Sequence, residues 1–225
     1  MSGVCADAHA RARRFRTMTA DRLEPTVVVV AAGRGQRFDG EGHKLAQPFG
    51  ASTVLETTLE SVVASGLPLV LVTTAPLVAL AQQVIAARDI VLLPPVGSYT
   101  GEPLGMGYTI ASGVAARSQS RGWLVLPADM PLLRPGTLRK VAQSMSLYPV
   151  VYPQHRGRRG HPVGFSPELY TELISLTGDE GARRLVARYP AHGVDVDDPG
   201  VLVDIDTRRD LEAARALQGE PAADV

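Results

Sequence analysis

The sequence predicts a three-layer α/β/α protein, with helices covering both faces of a mostly parallel central sheet, and three observations predict it. The run Val27 to Val30 is β-branched throughout with no polar alternation, as expected of a strand buried on both faces. Further apolar runs at Leu67 to Val72, Ile90 to Leu93 and Trp123 to Leu126 recur with stretches of helical spacing between them, the alternation that parallel strands with crossover helices require. A glycine-rich, basic segment follows the first run directly, where strands of such a sheet open onto ligands.

With 225 residues and 45% hydrophobic content, the chain has the size of one domain with a substantial core. That domain is expected over 25–218, between flexible tails at 1–24 and 219–225. The first tail is rich in Ala and Arg, with Arg11, Arg13, Arg14 and Arg16 close together, and offers little to pack. Met18 is an alternative start within it. The lone cysteine, Cys5, precludes an intramolecular disulfide and fits a reducing, cytoplasmic setting. A formal charge of +0 gives no global field toward nucleic acid or membranes. No run approaches the ~18 apolar residues of a membrane span, and no signal-peptide centre is present. Small-molecule partners are therefore expected, without nucleic acid or membrane.

The segment after the first strand reads as an anion cradle. Gly33 and Gly35 permit tight turns in which successive N–H groups converge, and Arg34, Arg37 and Lys44 supply charge for phosphates. It is not a dinucleotide fingerprint, because Phe38 stands where the third glycine is needed. Nor is it a Walker A loop, since Lys44 follows His43 and precedes Leu45. An ordinary strand-to-helix turn would share Gly-x-Gly; the cation cluster sets this one apart.

Along the chain, Pro48 to Gly50 marks a turn, and Val54, Leu55, Thr58, Leu59, Val62 and Val63 have helical spacing up to Gly66. Pro76 to Ala87 predicts a second helix. After a Pro- and Gly-rich loop from Pro94 to Pro103, a helix through Ala116 places Gly105 and Gly107 at its N-terminus, where N–H groups meet phosphates; a plain glycine-rich turn would look the same. The run Trp123 to Leu126 leads into Pro127-Ala-Asp-Met-Pro131, so Asp129 sits at a strand's carboxyl end, a place for a metal ligand. Pro135 marks the next helix start, too far downstream for Asp129 to cap it.

A strand beginning over Pro149 to Tyr152 precedes a loop, Pro153 to Phe165, in which three arginines and two histidines interleave with glycines. That reads as a second anion site, or as a solvated basic loop. Asp179 suits the N-cap of a helix running to about Tyr189. Val201 to Asp206 predicts a strand whose Asp204 and Asp206 share one face. Asp206 and Thr207 are natural N-caps for a last helix through Leu217, with Asp210 completing a capping box. That leaves Asp204 as the second metal candidate, or as a solvated carboxylate. Histidines 9, 43, 155, 161 and 192 lack the spacing of a zinc site, and no G-x-S-x-G elbow occurs.

Ala31-Ala-Gly-Arg-Gly-Gln-Arg-Phe38 with Lys44, Gly105-Met-Gly107, Pro127 to Pro131, Gly157-Arg-Arg-Gly-His-Pro-Val163, Gly178-Asp-Glu-Gly-Ala-Arg183 and Asp204-Ile-Asp-Thr207 resemble, in order, the motifs of the molybdenum cofactor cytidylyltransferases. These belong to a wider nucleotidyltransferase group, and the resemblance covers about Thr26 to Leu217. It implies a Rossmann-like nucleotidyltransferase fold and Mg²⁺-dependent transfer of CMP from CTP to the molybdopterin cofactor, with a molybdoenzyme receiving the product. It also implies roles. Ala31, Ala32, Gly33, Arg34, Gly35, Gly105 and Gly107 would bind nucleotide, and Arg37, Lys44 and Asp129 would be catalytic. Asp129 with Asp204 would hold the metal. Arg158, Arg159, Gly160, His161, Pro162, Asp179 and Arg183 would line the acceptor side. Asp39 departs from the glycine usual after the Arg-Phe pair, and no asparagine precedes Gly105.

Two rival readings share these residues. One is a guanylyltransferase, or a sugar- or alditol-phosphate nucleotidyltransferase, on the same fold. The other is a non-catalytic molybdopterin carrier, for which both metal carboxylates and Lys44 together would be superfluous.

Overall fold

The computed structural model describes residues 24–33, 35, 37–94 and 105–219. The expectations for Arg34, for nearly all of the loop before Gly105 and for nearly all of both tails lie outside these residues. In chain order the strands are β1 (Thr26–Ala31), β2 (Pro48–Phe49), β3 (Ser52–Thr53), β4 (Leu69–Thr73), β5 (Ile90–Leu92), β6 (Trp123–Pro127), β7 (Val150–His155), β8 (Arg158–Arg159), β9 (Val163–Phe165) and β10 (Ala191–Asp195). The helices are α1 (Val54–Ser65), α2 (Ala75–Ala81), α3 (Met106–Ala116), α4 (Pro135–Ser144), α5 (Tyr170–Ile174), α6 (Arg183–Arg188) and α7 (Arg208–Gly219). No helix among the described residues is long and apolar enough to cross a membrane.

The main sheet runs β10-β7-β9-β6-β1-β4-β5, with β8 added to β7. Its centre is parallel: Val28 of β1 stands opposite Val70 of β4 and Val125 of β6. Strand β9 interrupts this order, lying antiparallel between β6 and β7, and β8 is antiparallel to β7. The valine run behaves as its composition demands. Val27, Val29 and Ala31 enter one core with α1, α2, α4 and α7, while Val28 and Val30 enter the other with α3, α5 and α6. Strand β1 is thus buried on both faces, and the fold is the three-layer, mostly parallel one predicted.

Local chemistry sets the helix boundaries. Thr53 and Glu56 form a reciprocal capping box on α1, and Gly66 closes that helix in the left-handed region. Pro135 opens α4, as proline's fixed φ favours. Thr207 and Asp210 exchange hydrogen bonds at the start of α7, the box read from the sequence. The helix predicted from Pro76 to Ala87 stops at Ala81 and continues as turns.

One predicted strand is absent, and one strand was not predicted. Val201 to Asp206 is not a strand: Pro199–Leu202 is a 3-10 turn and the chain then runs extended without pairing. The edge position beside β7 is taken by β10, a polar stretch that carried no strand signal. The turn is held by Asp198, 2% exposed, which accepts from Thr137 Oγ1 at 2.6 Å and from the N–H groups of Arg134 and Gly200 at 3.0 Å. Removing it strands three donors. Asp198→Ala is expected to cost about 2–3 kcal/mol in urea unfolding, from the usual worth of hydrogen bonds to a charged acceptor.

Candidate active site

Strands β1 and β6 run parallel, so their carboxyl ends reach the same side of the sheet, and there a cleft of about 670 Å³ opens. The loop after β1 lines it with Ala31, Ala32, Gly33, Gly35, Arg37 and Lys44. The end of β6 adds Asp129, the start of α3 adds Gly105, and Asp179, Arg183, Asp204 and Asp206 close the other wall.

At its centre lies a chain of charges. Lys44 Nζ donates to Asp129 Oδ2 at 2.5 Å and to Asp206 Oδ1 at 2.9 Å. Arg37 pairs with the other oxygen of Asp206 at 2.7 Å. Asp206, predicted as a helix cap, is instead in the cleft; Thr207 and Asp210 satisfy the cap between them and release it. The period-two spacing with Asp204 was the signal that could have found it. Asp204, exposed, shares the cleft.

Asp129 Oδ1 is buried and has no hydrogen-bond partner, an uncommon state for a buried polar atom. Burial raises the Asp129 carboxyl above its ordinary value; Lys44 opposes this, and Asp204 and Asp206 add repulsion. Burial also works against the Lys44 ammonium, but the two carboxylates outweigh it and hold its proton more tightly than usual.

The loop is secured by His43, which the sequence reading passed over. Its Nδ1 accepts from Leu45 N–H at 3.1 Å, so the ring's proton sits on Nε2, which reaches Gly33 O at 3.3 Å. Gly35, at φ +61, needs the left-handed conformation, and a Cβ there would meet the Lys44 stem at 3.4 Å. Burial lowers the His43 imidazole below its ordinary value of 6.5, with Lys44 adding to the fall and the Gly33 carbonyl opposing it. A base depressed on folding contributes stability above its unfolded value and loses it as pH falls through the folded one. The loop is thus expected to loosen at pH values below 6.5. The wild-type KM for nucleotide should rise there, and that of His43→Asn, which does not titrate, should not.

The remaining predicted residues divide. His161 does not line the cleft but sits in the field of Asp204 and Asp129, near Arg183; burial lowers its imidazole, the two carboxylates oppose that, and Arg183 adds to the fall. Arg158 and Arg159 lie exposed on β8, and Arg159 rests on the Tyr152 ring at 3.9 Å; neither borders the cleft. Gly160 packs against Val201, and Pro162 is buried. Asp179 does not cap a helix: α6 begins at Arg183 behind Ala182. The Gly107 N–H is already taken, donating to Gly178 O at 2.8 Å. Among these described residues, the cleft unites the first loop, Asp129, Asp204, Asp179 and Arg183, while β8 stands apart.

Residues 27–194 match the MobA-like NTP transferase domain. The chain belongs to that family. It is therefore a nucleotidyltransferase, and the carrier reading falls. This nucleotidyltransferase resembles Rv0371c of Mycobacterium tuberculosis H37Rv, at 26% identity over 86% of this chain and 98% of that one, with a TM-score of 0.70. Another structure of that protein is a complex with manganese. Two more distant structures share the fold. A nucleotidyl transferase from Methanothermobacter thermautotrophicus is 24% identical, covering 88% of this chain and 99% of that one, at a TM-score of 0.71. The molybdopterin-guanine dinucleotide biosynthesis protein A from Archaeoglobus fulgidus is 17% identical, covering 86% and 98%, at 0.63. No curated protein sequence matches.

Proposed function

We propose that this nucleotidyltransferase moves CMP from CTP to the terminal phosphate of the molybdopterin cofactor, releasing pyrophosphate and forming the cytosine dinucleotide. The observation that carries the reading is one continuous cleft. A glycine-rich basic loop forms one wall, Asp179 and Arg183 form the other, and Asp129 lies between them.

The chemistry needs no side-chain base. A phosphate monoester is already anionic near neutral pH, so one of its oxygens attacks the α-phosphorus directly. The bond from that phosphorus to the bridging oxygen breaks, and its electron pair leaves on pyrophosphate. What the protein must do is align two anions that repel each other and offset charge on the leaving group. In this reading the N–H groups of Gly33 and Gly35, together with Arg37, hold the pyrophosphate, and Lys44 bridges toward the attacking phosphate. Arg183 and His161 receive the acceptor.

The carboxylates point to a cation. Asp129, Asp179, Asp204 and Asp206 line the cleft against Arg37, Lys44 and Arg183, an acidic balance that repels a triphosphate. The orphaned Asp129 Oδ1 and the all-oxygen donor set fit Mg²⁺, held by Asp129 and Asp204, with phosphate and water as its other ligands. Bound there, Mg²⁺ would supply Lewis-acid polarisation of the α-phosphate and neutralise the departing charge. Manganese in the Rv0371c complex supports a divalent site of this kind. The product would pass to a molybdoenzyme, the working unit would be residues 25–218, and the setting would be the cytoplasm.

Pyrophosphate release, measured with molybdopterin cofactor and each nucleotide in turn, tests this. Turnover with CTP above the others is the expected result. Preference for GTP would replace the base, use of sugar or alditol phosphates would replace the acceptor, and binding of cofactor without pyrophosphate from any nucleotide would overturn the reading.

A further inference from the structure

We infer that Lys44 is a place-holder that keeps a divalent cation off Asp129 and Asp206 until the nucleotide's phosphates draw it away, so that cation and nucleotide are bound together rather than separately. The inference rests on the nucleotide reading above and adds an order to it.

The ammonium of Lys44 is anchored. It bonds two carboxylates at 2.5 and 2.9 Å, and its side chain is only 14% exposed. A Mg²⁺ ion takes carboxylate oxygens at about 2.0–2.1 Å. An ion on Asp129 Oδ2 would therefore lie within about 5 Å of a Lys44 that kept its present bond, two positive centres on one oxygen. The Asp129 Oδ1 atom remains free and Asp204 shares the cleft, but an ion held between them would still face the ammonium bound to the other oxygen of the same carboxylate; Asp206 adds little, because Arg37 holds its second oxygen at 2.7 Å. With Lys44 in place, two carboxylate oxygens are occupied and the nucleotide-free site holds the cation only weakly, by charge.

The same geometry supplies the release. The Lys44 backbone is fixed in a 3-10 turn capped by His43, while its stem runs beside Gly35, whose added Cβ would stand 3.4 Å from Lys44 Cγ. The ammonium can thus pass by rotation of its own side chain from the carboxylates to the glycine loop, with no movement of the main chain. Phosphates on that loop give it a new partner, and its departure uncovers Asp129 Oδ2 and Asp206 Oδ1.

Nucleotide-free Mn²⁺ binding, followed by the electron paramagnetic resonance of the free ion, tests the block with Lys44→Met and Lys44→Arg. Lys44→Met is expected to bind Mn²⁺ at least 10-fold more tightly than the wild type, and Lys44→Arg, which keeps the charge, no more tightly. Equal affinity in wild type and Lys44→Met overturns the inference. A second measurement needs no variant: the ¹⁵N signal of the Lys44 ammonium in the wild-type protein. It should persist in Mg²⁺ alone and move when α,β-methylene-CTP is added with Mg²⁺. Release by Mg²⁺ alone overturns the place-holder while leaving the nucleotide site standing. Failure of the analogue to perturb the protein at all overturns the nucleotide reading and the place-holder with it.

Discussion

Asp129→Ala is expected to lower the rate of pyrophosphate release by about 10³-fold, the upper part of the range for loss of one group that stabilises developing charge. Asp129 aligns Lys44 at 2.5 Å and presents its second oxygen, unpaired, to the cleft, so its removal disturbs both ends of the transfer. The fold should tolerate the change. The structural bond at this position is made by the main chain, Ile205 N–H to Asp129 O at 3.0 Å, and Lys44 keeps Asp206 at 2.9 Å, so the deletion strands no buried charge. Thermal unfolding should fall within about 4 °C of the wild type, the shift that ~1 kcal/mol makes in a chain of this size. Near-normal release of pyrophosphate by a folded Asp129→Ala protein would remove Asp129 from the mechanism.

Gly105→Ala is expected to act in the opposite sense, on the fold before the chemistry. An added Cβ would stand 2.2 Å from the Gly178 main chain, a contact that backbone cannot relieve as a side chain can. The usual cost of such overpacking is about 1–3 kcal/mol, a fall in melting temperature on the order of 5 °C. Displacing 177–179 should also carry Asp179 and Arg183 away, raising KM for the acceptor more than for the nucleotide. If Gly105 served only to let a nucleotide approach, melting would be unchanged and the nucleotide KM alone would rise. The two outcomes separate packing from binding at the same glycine.

The contrast between these residues shows how much the sequence could disclose. Runs such as Val27 to Val30 announce themselves because burial on both faces leaves no room for polar residues, and β6 is legible for the same reason. Asp129 follows from β6, since a strand's end needs no long-range information to place. Strand β10 was invisible: Ala191-His-Gly-Val-Asp195 is half-exposed at a sheet edge, where the solvent face removes the apolar signal. Val201 misled in the other direction. It is fully buried, but in a turn fastened by Asp198 to the start of α4, a partner more than sixty residues earlier. Asp206 and His43 failed for a related reason. Each has a complete local explanation, as a cap or as a loop residue, and only the fold reveals that Thr207 and Asp210 had already filled the first role.

Strand β9 has a wider consequence. It pairs Val163 with Val125 of β6, so the hairpin ahead of it, which carries His161, hangs from the strand next to the one that ends at Asp129. The span between the two chemical partners is set by sheet register, not by the length of the connecting turn. The main chain reinforces that placement, Gly160 N–H donating to Pro153 O at 2.9 Å and His161 N–H to Val201 O at 3.0 Å, so the position of His161 is inherited from the sheet and from the turn at Val201 together.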